Sequence, residues 1–425
     1  MKCSSPRTRL APSVKSTSLS LAVAAALYML AEPATAQPAP GDGLTRAQVS
    51  VVDPTGVPFS TEMLGKLKAP PGFTVSVFAK DMANARWMQV MPNGDVYVAR
   101  PRQNDIVLLR DTDKDGVADS QKVVLQNLKL AHGLTMLDNK IYIGADKKVL
   151  VTEVQSDGSL SDPKLLLDDL PDGGQHRHRT LAIGPDKMLY ISAGSTCNEC
   201  PDSNPESATM IRSNLDGSAR TVYAKGLRNT IGFAWHPRTS LMYGFDQGTD
   251  WRGDDQAPEE LNQILANKDY GWPYCWGDRQ VDMSNQNDPP NTTKLDYCPM
   301  TEPAKLTYTA HSSPIGFLFY TGSMFPSEYR NDGFVAMRGS WNRADPSGYK
   351  IARVRFDANG APVAIEDFVT GWLLPPNATP PVTNQPPRPA RFGRVAGLAV
   401  AADGSLLIAE DENGVIYRVA YTGAR

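Results

Sequence analysis

The sequence predicts an all-β protein, a six-bladed β-propeller of four-stranded antiparallel blades. The first observation is a local pattern that recurs six times: a turn rich in Pro, Asn, Asp and Gly, then a strand of alternating apolar residues. It runs over residues 91–98, 137–143, 184–191, 236–243, 330–336 and 402–408. The second is its period. The first four copies start about 45–52 residues apart, the length of one four-stranded blade. The third is composition. Thirty-four glycines and 34 prolines in 425 residues are many for a helical chain and few for a disordered one. Alternating strands need a sheet on each side, and closing the sheets into a ring supplies one while shielding their edges. A β-sandwich offers similar burial but does not explain the period.

Residues 1–36 read as a secretory signal. Lys2, Arg7, Arg9 and Lys15 precede a short apolar stretch, Leu19 to Leu30, and Ala34-Thr35-Ala36 offers a small-x-small cleavage site. The stretch is too short to span a bilayer, and no other apolar run is long enough, so no membrane span is expected. The signal points to a secreted or periplasmic protein. Residues 37–61 read as a leader packed on the domain and residues 62–425 as the propeller. Residues 270–300 and the Pro-rich 372–392 are loops on a face. Net charge is −3 for the whole chain and about −6 without the signal. No Lys/Arg cluster is present, which argues against a nucleic-acid partner.

Four cysteines follow the signal: Cys197, Cys200, Cys275 and Cys298. An even number in an oxidising compartment favours disulfides, and four cysteines allow three pairings. Two structural loop bridges, 197–200 and 275–298, are the expectation, with a redox-active 197–200 pair as the alternative. Pro201 rather than His follows the C-x-x-C, so haem attachment is not indicated.

Four segments carry chemistry. Asp111, Asp113, Asp115 and Asp119 stand at positions 1, 3, 5 and 9 of a loop with Gly116 at position 6 and the Val117 carbonyl at position 7. That pattern suits Ca²⁺, although Lys122 replaces the closing Glu of an EF-hand. His176, after Gly173-Gly174-Gln175, precedes the third repeat, where a general base near neutral pH could face the central channel. Arg228-Asn229 enters the fourth repeat and Gly248-Thr249 follows its strand. Arg338, with Trp341, follows the fifth repeat, and Arg394 precedes the sixth. Three arginines from separate blades suit a ligand with several carboxylates or phosphates.

These segments together resemble the soluble quinoprotein sugar dehydrogenases, and most closely their sorbosone dehydrogenase-like branch. The resemblance is carried by His176 five residues before Leu181, by residues 226–229, 248–249, 260–262 and 269–273, by the Asp-rich loop, and by residues 194–200 and 339–343. It covers the chain from about Pro71 onward. It implies pyrroloquinoline quinone (PQQ) and Ca²⁺ on one face of a six-bladed propeller. His176 would take the substrate hydroxyl proton and Arg228 would polarise the quinone. Asn229, Arg338, Arg394 and Trp341 would contact the cofactor, and the carbonyls of Gly248 and Thr249 would bind the catalytic Ca²⁺. Gln175, His311 and Met88 are expected at the substrate pocket. Gln175 replaces an Asp of the glucose-oxidising branch and Ala396 its second last-blade arginine, so glucose is not implied. The expected activity is oxidation of a sugar or sugar-derived aldehyde. A calcium-dependent propeller lactonase and a non-catalytic binding propeller are the alternatives.

Overall fold

Antiparallel pairing puts the start of one strand and the end of the next at the same end of a sheet. That rule organises this chain. The computed structural model describes residues 48–376 and 388–423. The predicted signal peptide and the middle of the Pro-rich insert lie outside the described residues.

Six antiparallel sheets follow one another. The first holds Trp87–Val90, Val96–Arg100, Asp105–Arg110 and Ser120–Leu125. The second holds Leu134–Leu137, Lys140–Ala145, Lys148–Glu153 and Lys164–Leu167. The third holds Leu181–Ile183, Leu189–Ala193, Thr209–Ser213 and Thr221–Lys225, with the short Lys268–Asp269 added in parallel at its edge. The fourth holds Thr230–Trp235, Met242–Asp246, Glu259–Gln263 and Leu306–Tyr308. The fifth holds Pro314–Phe319, Gly333–Met337, Lys350–Phe356 and Pro362–Val369. The sixth takes Val395–Val400, Leu406–Glu410 and Ile416–Tyr421 from the end of the chain and Phe73–Ala79 from its beginning. The described residues thus form a β-propeller whose last sheet ties the two ends of the domain together.

Each of the six repeats read from the sequence is the hairpin between the first and second strands of one sheet. The second strands are buried on both faces rather than alternating. Leu189–Ala193 and Leu406–Glu410 are buried at every position. The cause is packing of sheet on sheet. Val98 and Val107 of the first sheet share one apolar cluster with Leu407 and Ile416 of the sixth. Other clusters join the first sheet to the second, the second to the third, and so on to the fifth and sixth. The innermost strands approach closely through glycines. A Cβ on Gly397 would lie 2.4 Å from the Arg86 carbonyl oxygen, and one on Gly232 would lie 2.4 Å from that of Ile315. No side chain fits there.

The leader is held at the domain's edge. Thr55–Gly56 pairs with Ala390–Arg391, which pairs with Leu373–Leu374. Arg391 also bonds Asp53 at 2.7 Å. Both expected disulfides, Cys197–Cys200 and Cys275–Cys298, are formed. No helix among the described residues is long and apolar enough to cross a membrane.

Candidate cofactor and catalytic site

The site is built from residues just before each innermost strand and just after each second strand. Arg86 precedes Trp87, Asn229 precedes Thr230 and Arg394 precedes Val395. Gly194 follows Ala193, Arg338 follows Met337 and Asp411 follows Glu410. Pairs such as Thr230 with Asp246 and Val395 with Glu410 keep these positions side by side.

Three guanidiniums gather about one carboxylate. Arg338 donates to both oxygens of Asp411, at 2.9 and 3.0 Å, and Arg86 donates to one of them at 3.0 Å. Arg394 donates to the carbonyl oxygen of Gly339 at 2.5 Å and lies over the Tyr349 ring. Burial disfavours the Asp411 anion, but Arg338, Arg86 and Arg394 outweigh it and hold the carboxyl below its usual range. Burial and neighbouring guanidiniums lower Arg86 to about 10 against the pull of Asp411. Burial and Arg338 lower Arg394 to about 10. Arg86 Nε is buried with no partner among the described residues. Two positive charges in excess and an unused N–H suit a polyanionic ligand. The rings of His132 and His178 lie beside this cluster, 4.7 Å apart. Burial first, then Arg86, holds both well below the usual imidazole range.

His176 stands next to a second arginine. Its Nδ1 lies 2.8 Å from the Ser195 carbonyl oxygen and 2.9 Å from Ser195 Oγ. A carbonyl can only accept, so Nδ1 carries the proton and Nε2 keeps a lone pair. Nε2 has no hydrogen-bond partner among the described residues. Burial first, then the charge of Arg228, lowers the imidazole to about 3, so it is neutral at physiological pH. Gly194 brings the parts together. A Cβ there would lie 2.6 Å from that of His176 and 2.8 Å from Asn229 Oδ1.

The Arg228 guanidinium is buried and nearly saturated. It donates to the Asn198 carbonyl at 3.0 Å, Asn198 Oδ1 at 2.8 Å, the Gln247 carbonyl at 3.2 Å and Asp250 at 3.1 Å. One of its five N–H groups remains. Asp246 accepts from the backbone N–H groups of Arg228 and Asn229, both at 2.8 Å, and burial raises it to about 6. Asn229 Nδ2 donates to Gln247 at 2.9 Å.

The carbonyls of Gly248 and Thr249 accept no hydrogen bond among the described residues. Both residues line a cavity of about 20 Å³, together with Asp246 and Glu260. That space holds one water or one small ion. Two hard oxygens free of other partners fit Ca²⁺. Glu259 receives the N–H groups of Gly248 and Ser313, and burial pushes it up to about 8.

The family model described as TrAA12-like matches residues 67–422. The chain belongs to the TrAA12-like family. An uncharacterised protein of Borreliella burgdorferi is 28% identical over 377 residues, or 85% of this chain and 92% of its own. Among solved structures, the holo pyranose dehydrogenase PQQ domain of Coprinopsis cinerea superposes with a TM-score of 0.68 at 19% identity. It covers 83% of this chain and 97% of that domain. The calcium structure of the Trichoderma reesei family AA12 enzyme gives 0.68 at 18% identity, over 89% of this chain and 99% of that one. The resemblance to soluble PQQ-dependent sugar dehydrogenases read from the sequence holds.

In this TrAA12-like chain the predicted site residues fall into two groups rather than one. Arg338 and Arg394 join around Asp411, while Arg228 belongs with His176, Asn229 and Asp250. The third arginine of the first group is Arg86, which the sequence reading missed. Its register signals it, since it precedes its innermost strand as Arg394 precedes its own. Met88, expected at the substrate pocket, is only 4% exposed. It is packed in the apolar seam between the first and sixth sheets. His311 is buried as well, bonding the Gly253 carbonyl at 2.8 Å and Asn342 at 3.3 Å. Asn342 in turn donates to Asp250 at 2.8 Å, so His311 supports Asp250 and does not meet open space. Gln175 is exposed at the rim. Trp341 meets Trp251 edge to face at 4.9 Å.

The Asp-rich loop joins the third and fourth strands of the first sheet, at the end away from the site. Carboxylate oxygens of Asp111, Asp113 and Asp115 lie within 4.8 Å of one another. Asp111 Oδ1 is buried with no partner among the described residues. Asp119 turns instead to the N–H and hydroxyl of Thr112, both at 2.6 Å. The Val117 side chain is exposed.

Proposed function

We propose that this protein is a secreted, PQQ- and Ca²⁺-dependent dehydrogenase of a sugar or sugar-derived aldehyde. Residues 62–425 form its catalytic domain, a ring of six blades. One observation carries the reading: Arg86 and Arg338 share a single carboxylate with Arg394 close by, an excess of positive charge suited to a polyanion, while in the second group a neutral histidine keeps an Nε2 with no partner among the described residues. Arg86, Arg338 and Arg394 would hold the carboxylates of PQQ, with Asn229 and Trp341 beside it. The Gly248 and Thr249 carbonyls would hold Ca²⁺. The bound pair supplies a two-electron acceptor activated by a Lewis acid. The chain supplies the proton chemistry. His176 Nε2 takes the proton of the substrate hydroxyl, and Ser195 keeps the imidazole in the tautomer that can do so. Arg228, with one N–H left over, would polarise the quinone. An external acceptor, a cytochrome or a quinone, would complete the turnover. The Asp-rich loop, remote from this chemistry, would hold a structural Ca²⁺. The two disulfides suit a secreted protein.

The test is dye reduction by PQQ- and Ca²⁺-loaded protein with aldoses, pyranoses and sorbosone-like aldehydes. Substrate-dependent reduction supports the dehydrogenase. Lactone hydrolysis without dye reduction would replace it with the hydrolase.

A further inference from the structure

Residues 195–200 form an irregular loop that touches both halves of the proton and charge machinery. On one side, Ser195 holds His176 Nδ1 through its carbonyl and its hydroxyl. That hydroxyl donates its own proton to the Cys197 carbonyl at 2.7 Å. Its lone pairs are therefore left to face His176. On the other side, Asn198 takes two Arg228 donors, at 3.0 Å on its carbonyl and 2.8 Å on Oδ1. Asn198 also brackets Asp250, receiving its N–H at 2.8 Å and donating to its carbonyl at 3.1 Å. The Ser195 N–H closes the circuit on the Arg228 carbonyl at 2.8 Å. Gln175, next to His176, donates its N–H to the Thr196 carbonyl at 3.0 Å. Glu199 pairs with Arg252.

The Cys197–Cys200 bridge spans this loop with a sequence separation of 3. Asn198 lies inside its ring, and the Cys197 carbonyl is part of it. No helix or strand orders residues 194–208, so the bridge supplies a restraint that the backbone ladder does not.

We infer that the Cys197–Cys200 disulfide is a positioning device: it sets the Ser195 and Asn198 oxygens that fix the His176 tautomer and aim the Arg228 guanidinium. It acts through these residues and takes no electrons itself. The catalytic meaning of the inference rests on the proposed function, but its first test does not.

That test is read on the protein without cofactor. The chain has five histidines, so the ¹⁵N signals of His176 can be assigned by substituting the others one at a time. The wild type should show one tautomer, protonated on Nδ1, that does not titrate between about pH 5 and 8. Cys197→Ser/Cys200→Ser should show a mixture of tautomers and a titration moved up toward the ordinary imidazole value. Cys275→Ser/Cys298→Ser, which opens the other bridge, should lower the melting temperature and leave the His176 signals as they were. An unchanged tautomer and titration in a folded Cys197→Ser/Cys200→Ser protein would overturn the inference.

Asn198→Ala keeps the bridge and supplies a second measurement should the double variant not fold. There the Arg228 Nη2–H that donates to Asn198 Oδ1 should lose its protection from solvent exchange while the Nε–H, on the backbone carbonyl that the bridge holds, keeps it, and persistent Nη2–H protection or loss of the Nε–H protection would equally overturn the inference. In loaded enzyme, Cys197→Ser/Cys200→Ser should lower kcat by about 10–100-fold with KM little changed, as for other partners that orient a reacting group. If the wild type neither binds PQQ nor reduces dye, the proposed function fails, and the tautomer result still decides the role of the bridge.

Discussion

Arg338 grips Asp411 through two hydrogen bonds of 2.9 and 3.0 Å, and Arg86 donates to the same carboxylate at 3.0 Å. Among the described residues Asp411 is thus the one carboxylate that the arginine cluster bonds directly. Removing it leaves three buried cations against one another. Asp411→Asn should destabilise the protein by about 3–5 kcal/mol, the cost of breaking a buried ionic group. Thermal denaturation measures this. Polyanions such as PQQ should restore more of the lost stability in the variant than they add to the wild type.

Arg394 differs from its neighbours because its direct partners are carbonyl oxygens and the Tyr349 ring face. Its charge is opposed by Arg338. Arg394→Met should therefore leave the melting temperature of the cofactor-free protein unchanged or raised. The same change should weaken PQQ binding by about 30-fold or more, the loss of one buried charge contact. Equilibrium binding and calorimetry together check the opposed signs.

His176→Ala removes the Nε2 lone pair proposed to take the substrate proton. Turnover should fall by about 10²–10⁴-fold, the usual worth of a positioned base. PQQ should remain bound, because the arginine cluster is untouched. Unchanged turnover would remove His176 from the mechanism.

The low titration point of His176 sets a pH dependence. Burial and Arg228 lower it from 6.5 to about 3, so the native imidazole stays neutral well below neutral pH. The acid limb of kcat/KM should then lie below about pH 5, the opposite of an ordinary histidine base. Stability follows by linkage. Between pH 6.5 and 3 the unfolded chain binds a proton at this position that the native state refuses. The contribution of His176 is therefore present above pH 6.5 and lost as the pH falls toward 3. His132 and His178, also lowered, act with the same sign. A pH series of kcat/KM and melting temperature checks both.

The Asp-rich loop lies against the strands that tie the ends of the domain. The Ala118 N–H donates to the Phe78 carbonyl at 2.8 Å, and a Cβ on Gly116 would lie 2.9 Å from Arg418 Nε. Ca²⁺ should raise the melting temperature of chelator-treated protein, and Asp111→Asn should remove most of that rise. Equal rises in both proteins would exclude this loop as a calcium site.

Much of this architecture was legible in local sequence. Six turn-and-strand repeats mark the six hairpins because the Asn, Asp and Gly of a tight turn recur wherever a first strand meets a second. His176, Arg228, Asn229, Arg338 and Arg394 were legible because each stands beside such a landmark. The partners that give them their chemistry were not. Arg86 and Asp411 are 325 residues apart in the chain and meet only because the last sheet packs on the first. Ser195 and Asn198 stood inside a segment that carries the resemblance, but no residue pattern assigned them a role. Their roles come from backbone oxygens and an amide whose positions the bridge and the loop set. Met88 misled for the opposite reason. Its neighbour Trp87 reaches the central apolar cluster with Ile231, Ile315 and Ala396, but the strand pleat turns Met88 away into a seam.

The most direct test is a titration of the purified, EDTA-treated protein with PQQ in the presence and absence of Ca²⁺, followed by absorbance. Stoichiometric, calcium-dependent binding is expected, weakened by Arg394→Met and retained in His176→Ala. No binding at micromolar PQQ would contradict it and would leave the arginine cluster to a different anion.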